Sequence, residues 1–190
     1  MGTGLLIGVG GSTLLSIERG RGHEKKSNKL FTLSIVMGIS ISLIYMVLGL
    51  VFIEKIAFFL GATERILPLV KEYMTIVIIG TIPFVMGSVL SPFVRADKAP
   101  KTAMTAVIAG GFTNIVLDYL FIFPFNMGLR GAAIATAISY TLSMFILTVH
   151  FFTKNNTLKF EKNFFKIKSV LRIVKCGVPS FFSEISTGLV

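Results

Sequence analysis

Long apolar runs alternate with short polar segments along this 190-residue chain. Residues 30–53, 73–94, 102–123 and 131–152 are each 22 to 24 residues long and contain no Lys, Arg, Asp or Glu except Asp118. A helix rises about 1.5 Å per residue and needs roughly 20 such residues to cross the hydrocarbon, so the pattern predicts four complete transmembrane helices. Two further runs read as parts of spans. Residues 1–17, "MGTGLLIGVGGSTLLSI", are apolar from the first residue, without the basic stretch or cleavage site of a signal peptide; residues 176–190, "CGVPSFFSEISTGLV", begin another. The pattern is that of a piece of a longer protein.

Composition supports the same solvent. A mean hydropathy of +0.81 with 15% charged residues does not suit a water-covered surface and places the chain in a bilayer. The segments between runs then give orientation. Residues 18–29, 95–101 and 153–175 hold five, three and seven Lys or Arg, whereas 54–72 and 124–130 hold three and one. That alternation is the positive-inside pattern of a multi-pass protein of the cell (inner) membrane, with the first run starting outside and at least one helix expected before it. Thiols placed at Ser27 and Asn155 are expected to be shielded from an outside reagent, and one at Asn126 to react.

The net charge of +10 does not imply nucleic acid, because the cations are spread over one membrane face with no stacking platform or binding motif beside them. Anionic lipid headgroups are the simpler partner. Within "NFFKIKSVLRIVK", Phe164, Ile167, Val170, Leu171 and Val174 recur at helical spacing against Lys166, Lys168, Arg172 and Lys175, which predicts an interfacial helix.

Signals for enzymatic chemistry are lacking. "GVGGST" lies in an apolar run with no strand before it, and no GxxxxGK[ST] occurs, so active transport here would run on an ion gradient without a nucleotide or other cofactor. Gly4 and Gly8 suit close helix packing. Pro83 and Pro92 are expected to kink the run that holds them. Cys176 reads as a buried small residue, His23 as a solvated loop residue and His150 as one near the interface. Neither His has metal-ligand neighbours, and no Ser, His and Asp constellation suggests a hydrolase, so no catalytic residue is assigned.

The run "NIVLDYLFIF" holds the exception. A charge in a span costs about 2.5 to 3.5 kcal/mol at the bilayer centre, so Asp118 needs a partner or a role. Asn114 is one turn away on the same face and Gly110 one turn further. The loop to the next span is short, making the two helices antiparallel neighbours. Asp118 lies about 9 Å along the axis from Pro124 and Thr136 about 7.5 Å from Gly131, which puts them at nearly the same depth. Carboxylate, amide and hydroxyl oxygens converging there suit a hard monovalent cation such as Na⁺ or a relayed proton. The alternative is that Asp118 snorkels to the outer interface while Asn114 and Thr136 bridge helices. Thr136, Ser139, Tyr140 and Ser143 form a polar stripe that suits a cavity.

"LGATERILPLVKEYM", "FVRADKAPKTAM", "NIVLDYLFIF" and "GLRGAAIATAIS", in that order and spacing, resemble the multidrug and toxic compound extrusion (MATE) family of secondary transporters over essentially the whole chain. The resemblance implies an all-α, twelve-helix membrane protein of two six-helix lobes. Residues 1–152 would supply the second to sixth helices of the amino-terminal lobe, 153–175 a cytoplasmic amphipathic linker, and 176–190 the start of the carboxy-terminal lobe. It implies a cation-coupled antiporter exporting amphipathic, often cationic compounds, with Na⁺ or H⁺ held by Asp118, Asn114 and Thr136. Tyr140, Ser139 and Glu184 are further cavity or proton-site candidates. Its partners would be the bilayer, drug-like substrates and the remainder of the chain. Two other readings stand beside it. One is a flippase of lipid-linked sugars, which calls for basic residues within the spans to hold a pyrophosphate, and the runs contain none. The other is a receptor or structural subunit without a transport cycle.

Overall fold

The computed structural model describes residues 2–153 and 156–188; the linker residues Lys154 and Asn155, and Met1, Leu189 and Val190 at the ends of the predicted runs, lie outside the described residues. Eight α-helices follow one another: α1 (Gly2–Gly20), α2 (Glu24–Val51), α3 (Ile53–Phe59), α4 (Leu67–Ile79), α5 (Thr81–Ala96), α6 (Pro100–Ile122), α7 (Gly128–Val149) and α8 (Ile167–Gly188). A 3₁₀ turn, His150–Phe152, prolongs α7, and no strand occurs among the described residues. Four helical stretches are long and apolar enough to cross a membrane: Glu24–Val51, Leu67–Ala96, Pro100–Ile122 and Gly128–Phe152. They coincide with the four predicted spans. Backbone groups satisfied within each helix are what a medium without water demands.

Element boundaries differ from the reading of the sequence where local chemistry intervenes. The span predicted from residue 73 begins at Leu67, since Pro68 in the first turn is preset for helix and lacks only an N–H that the turn does not use. The span is interrupted at Gly80. Pro83 cannot donate to the carbonyl of Ile79 and its ring crowds that carbonyl, which accounts for a break three residues before the proline. Pro92, in contrast, sits inside a continuous α5. The segment 54–72 is not simply a loop: α3 lies in it, with Phe59 and Leu60 largely exposed. At the other end, α8 runs unbroken from Ile167, so the predicted amphipathic helix and the run that follows it are one helix, and no break marks residue 176.

Helix α5 is central, touching α1, α2, α6 and α7, while α6 packs along α7 and α8 along α1. The main core gathers Ile7, Leu15, Phe31, Val89, Phe93, Val94, Ala103, Ala106 and Leu147. The Phe31 ring meets Phe93 edge-on with centroids 5.3 Å apart. Between α1 and α8 the backbones touch: a Cβ added at Gly177 would lie 2.0 Å from the carbonyl oxygen of Leu6, and one at Gly10 would lie 2.2 Å from that of Ile173. Only glycine permits this approach.

Ion pairs mark the two ends of the bundle. At one end the three basic segments meet through Arg19, Asp97 and Thr157, with the Arg19 Nη1 to Asp97 Oδ1 distance at 3.0 Å. At the other end Lys71 pairs with Glu54, and Arg130 with Glu72. The segments predicted to share a membrane face therefore do share an end of the molecule. Ser27, where a thiol is expected to be shielded from an outside reagent, is fully buried at the basic end.

Candidate functional site

The turn between α6 and α7 sets the site. Asn126 at φ +50° and Gly128 at φ +54° reverse the chain within a few residues, and the N–H of Met127 donates to the carbonyl of Phe121 at 2.9 Å. The two helices are held antiparallel and close. A Cβ added at Gly110 would fall 2.0 Å from Ser143 Oγ, a hydroxyl that donates across the seam to the carbonyl of Ala106 at 2.9 Å.

One turn from Gly110, Asn114 Nδ2 donates to Thr136 Oγ1 at 3.5 Å. Thr136 in turn donates its hydroxyl proton to the carbonyl of Ala132 at 2.9 Å, so its oxygen faces Asn114 as an acceptor. Among the described residues nothing donates to Asn114 Oδ1. Asp118 follows one turn further along α6. It is half-buried, and its Oδ1 is buried with no hydrogen-bond partner among the described residues. A buried acceptor left unmet costs about 1 to 3 kcal/mol, and more when charged. The structure thus joins Asn114 and Thr136 directly and places an unsatisfied carboxylate oxygen beside them on the same helix face.

Asn114 and Thr136 line a cavity of about 630 Å³ between α1, α5, α6 and α7, together with Ser139, Tyr140 and Ser143. Ser139 spends its hydroxyl on the carbonyl of Ala135 at 2.7 Å, and the Tyr140 ring stands edge-on to Phe84 with centroids 4.5 Å apart. Neither Asp118 nor any residue of α8 belongs to the cavity wall. Glu184, half-buried on α8, therefore does not join the group in this structure. The oxygens present (carboxylate, amide and hydroxyl) are the hard ligands that a small monovalent cation takes. No cluster of three or more His, Cys, Asp or Glu that could hold a metal ion occurs among the described residues.

Two features escaped the reading of the sequence. The predicted span 73–94 stops short of Arg95, but α5 continues to Ala96 and Arg95 lines the cavity. A basic side chain therefore does reach it. The second is Asp97, which "RADKAPK" presents as a lone acid in a basic loop. Its side chain is fully buried and accepts from Arg19 Nη1, the Thr157 hydroxyl, the Thr157 N–H at 3.1 Å and, at 2.9 Å, pairs with His150 Nε2. His150 is likewise buried and does not reach the interface. Burial raises the Asp97 carboxyl, but the hydrogen bonds from Thr157, His150 and Arg19 outweigh it and hold the group below its ordinary value. No periodicity announces such a residue; its meaning depends on donors 53 to 78 positions away.

Comparison with known proteins bears on both the fold and the cavity. The MatE family model matches residues 1–120, and that of "Lipid II flippase MurJ" matches residues 70–190. "Multidrug export protein MepA" of Staphylococcus aureus is 31% identical over 190 residues, 99% of this chain and 42% of the relative. The chain thus spans less than half the length of that protein. Among solved structures, the inward-facing conformation of a multidrug resistance MATE family transporter of the MOP superfamily superimposes with a TM-score of 0.89 at 24% identity, covering 99% of this chain and 43% of the other. A MOP superfamily transporter from Pyrococcus furiosus, described as having a binding pocket of reverse polarity, gives 0.85 at 24% identity, covering 99% and 42%. Four spans at the predicted places, the α6–α7 seam and a matching family model over residues 1–120 agree: the chain is a multi-pass membrane protein and belongs to the MatE family.

Proposed function

We propose that the protein to which this chain belongs is a cation-coupled efflux transporter of amphipathic, drug-like compounds. On this reading Asp118, Asn114 and Thr136 hold the coupling Na⁺ or proton. The observation that carries it is the unpartnered Asp118 Oδ1 one turn from the Asn114–Thr136 bond. A cation or proton removes the cost of that oxygen, and transport follows if its binding shifts the lobe between states that differ in drug affinity. Nothing in the sequence calls for a resident cofactor, nucleic acid or catalysis, and the MepA relative's name supports the substrate class. Vesicles containing the full-length protein should export a fluorescent organic cation when a Na⁺ or H⁺ gradient is imposed. Export that ignores both gradients would refute the coupling.

A second reading has its own support. The MurJ match over residues 70–190 and Arg95 on the cavity wall suit a flippase of a lipid-linked pyrophosphate. The stronger MepA relationship, which extends over 99% of the chain, favours efflux. Flipping of a lipid-linked sugar by the same vesicles, with no export of drugs, would reverse that order.

A further inference from the structure

Beyond the 3₁₀ turn, residues 156–161 cross the basic end as an extended strap whose backbone donors are met by side chains. The N–H of Thr157 donates to Asp97 Oδ2 at 3.1 Å, that of Lys159 to Asn28 Oδ1 at 3.3 Å and that of Glu161 to Thr32 Oγ1 at 3.0 Å. Of the residues between them, Leu158 is buried in the main core, whereas Phe160 is largely exposed with its ring 5.2 Å from that of Phe31. Even Leu158 N–H is satisfied, by Asn156 Oδ1 at 2.8 Å. Alternation with period two is strand behaviour, here with α2 and α5 side chains standing in for a neighbouring strand. A loose tether leaves its backbone to water.

The strap has a distinct end. Among the described residues, 162–166 make no such backbone bonds to the helices, Phe164 packs against the cluster of Leu14, Leu30, Leu33 and Ile173, and Asn163 has φ +57°, before α8 begins at Ile167. Asp97 anchors Thr157 of the strap twice and ties it to Arg19 of α1 and to His150 after α7, so one carboxylate joins four segments.

We propose that the strap is a rigid part of this lobe, that Asp97 is its positioning residue, and that motion of α8 relative to α2 and α5 is taken up at residues 162–166. This rests on the transport reading only for its effect on flux; the geometry of the strap stands apart from it. Asp97 lies outside the wall of the cavity lined by Asn114 and Thr136. It acts by fixing where the segment leading into α8 starts, and so sets how fast the lobe changes state rather than how tightly it holds the cation.

The test uses full-length protein with Cys176 replaced by Ser and a single thiol at the buried Leu158 or the exposed Asn163. In inside-out vesicles, Asp97→Asn should speed labelling of the Leu158 thiol about tenfold, the scale of a lost hydrogen bond to a buried charge, and leave the Asn163 thiol, already free, unchanged. Ion-driven efflux should fall about tenfold in maximal rate with the half-saturating ion concentration unchanged, whereas a purely structural lesion would lower the amount of folded protein instead. If Asp97→Asn does not accumulate, Thr157→Val removes one anchor while keeping the fold, and Thr157→Ser should restore slow labelling. Equal labelling of the Leu158 thiol in wild type, Asp97→Asn and Thr157→Val would overturn the proposal. So would a shift in ion half-saturation that tracks the loss of flux. Should the wild type show no ion-driven flux at all, the transport reading fails and the labelling arm alone decides the strap.

Discussion

Asn114 and Thr136 stand 22 positions apart in sequence and meet across the α6–α7 seam, amide nitrogen 3.5 Å from hydroxyl oxygen. Asp118 lies one helical turn from that bond with a buried oxygen that nothing satisfies. Asp97, at the basic end, is the opposite case: fully buried, with each oxygen bonded. A carboxylate whose acceptors are filled by the protein is fixed in place, whereas a spare buried lone pair is what the proposed cation site requires.

Asp118→Asn keeps size and removes charge. In the full-length protein it should leave membrane expression near wild type and abolish ion-driven efflux. Thr136→Ala deletes one neutral oxygen worth about 1 kcal/mol and should weaken apparent ion affinity roughly fivefold, with part of the transport retained. Efflux of a fluorescent drug titrated against Na⁺ and pH checks both. An Asp118→Asn protein with unchanged ion dependence would make the carboxylate structural.

Orientation can be tested at positions the structure shows to be open. Lys25 and Asn126 are both exposed, at the basic and opposite ends respectively, whereas Ser27 is buried and would fail to label from either side. With Cys176 replaced, a thiol at Asn126 should react with an impermeant reagent in intact cells, and one at Lys25 only after the membrane is opened. The converse pattern would invert the topology inferred from the Lys and Arg distribution.

The four spans were legible because a bilayer imposes one rule over more than 20 residues; helix rise and a short turn put Asp118 level with Thr136, whereas the residue that meets Thr136 is Asn114, one turn away on the same face. What the sequence hid depends on contacts without a period. Pro83 announces a kink, which takes the form of a break at Gly80, but no pattern announces the extension of α5 past Val94 that carries Arg95 to the cavity. The strap at 156–161 is polar and apolar in alternation over only six residues, too short to separate from the basic run around it. Asp97 could be flagged only as the single acid in "RADKAPK". Its four donated bonds come from residues that no local pattern connects.

The α1–α8 seam predicts a sharp contrast between glycines. At Gly177 a Cβ would meet the Leu6 carbonyl at 2.0 Å, and backbone cannot yield as a flexible side chain does. Gly177→Leu should therefore destabilise the full-length protein by about 1 to 3 kcal/mol and lower its melting temperature in detergent. Around Gly111 of α6 nothing lies within 4 Å of an added Cβ. Gly111→Ala should be neutral or raise stability by about 0.5 to 1 kcal/mol through the restored helix propensity. Equal melting temperatures for wild type and Gly177→Leu would mean that the seam is not closed in the intact protein.

The Asp97 anchor also has a defined response to pH. Its carboxyl is held below the ordinary value of 3.8, so the folded state binds fewer protons there than the unfolded chain does. The stabilisation it supplies is accordingly complete above 3.8 and lost only as pH falls through the still lower value of the folded state. Across the range from about pH 5.5 to about pH 8, the anchor should be constant. Thr157→Val, which deletes one donor to Asp97, should cost about 1 to 2 kcal/mol at both ends of that range. Melting wild type and variant side by side at each pH cancels what they share, including any change at His150 that does not depend on the Thr157 hydroxyl. A penalty that vanished near pH 5.5 would show that Asp97 is already protonated there, and that its hydrogen bonds do not hold it ionised.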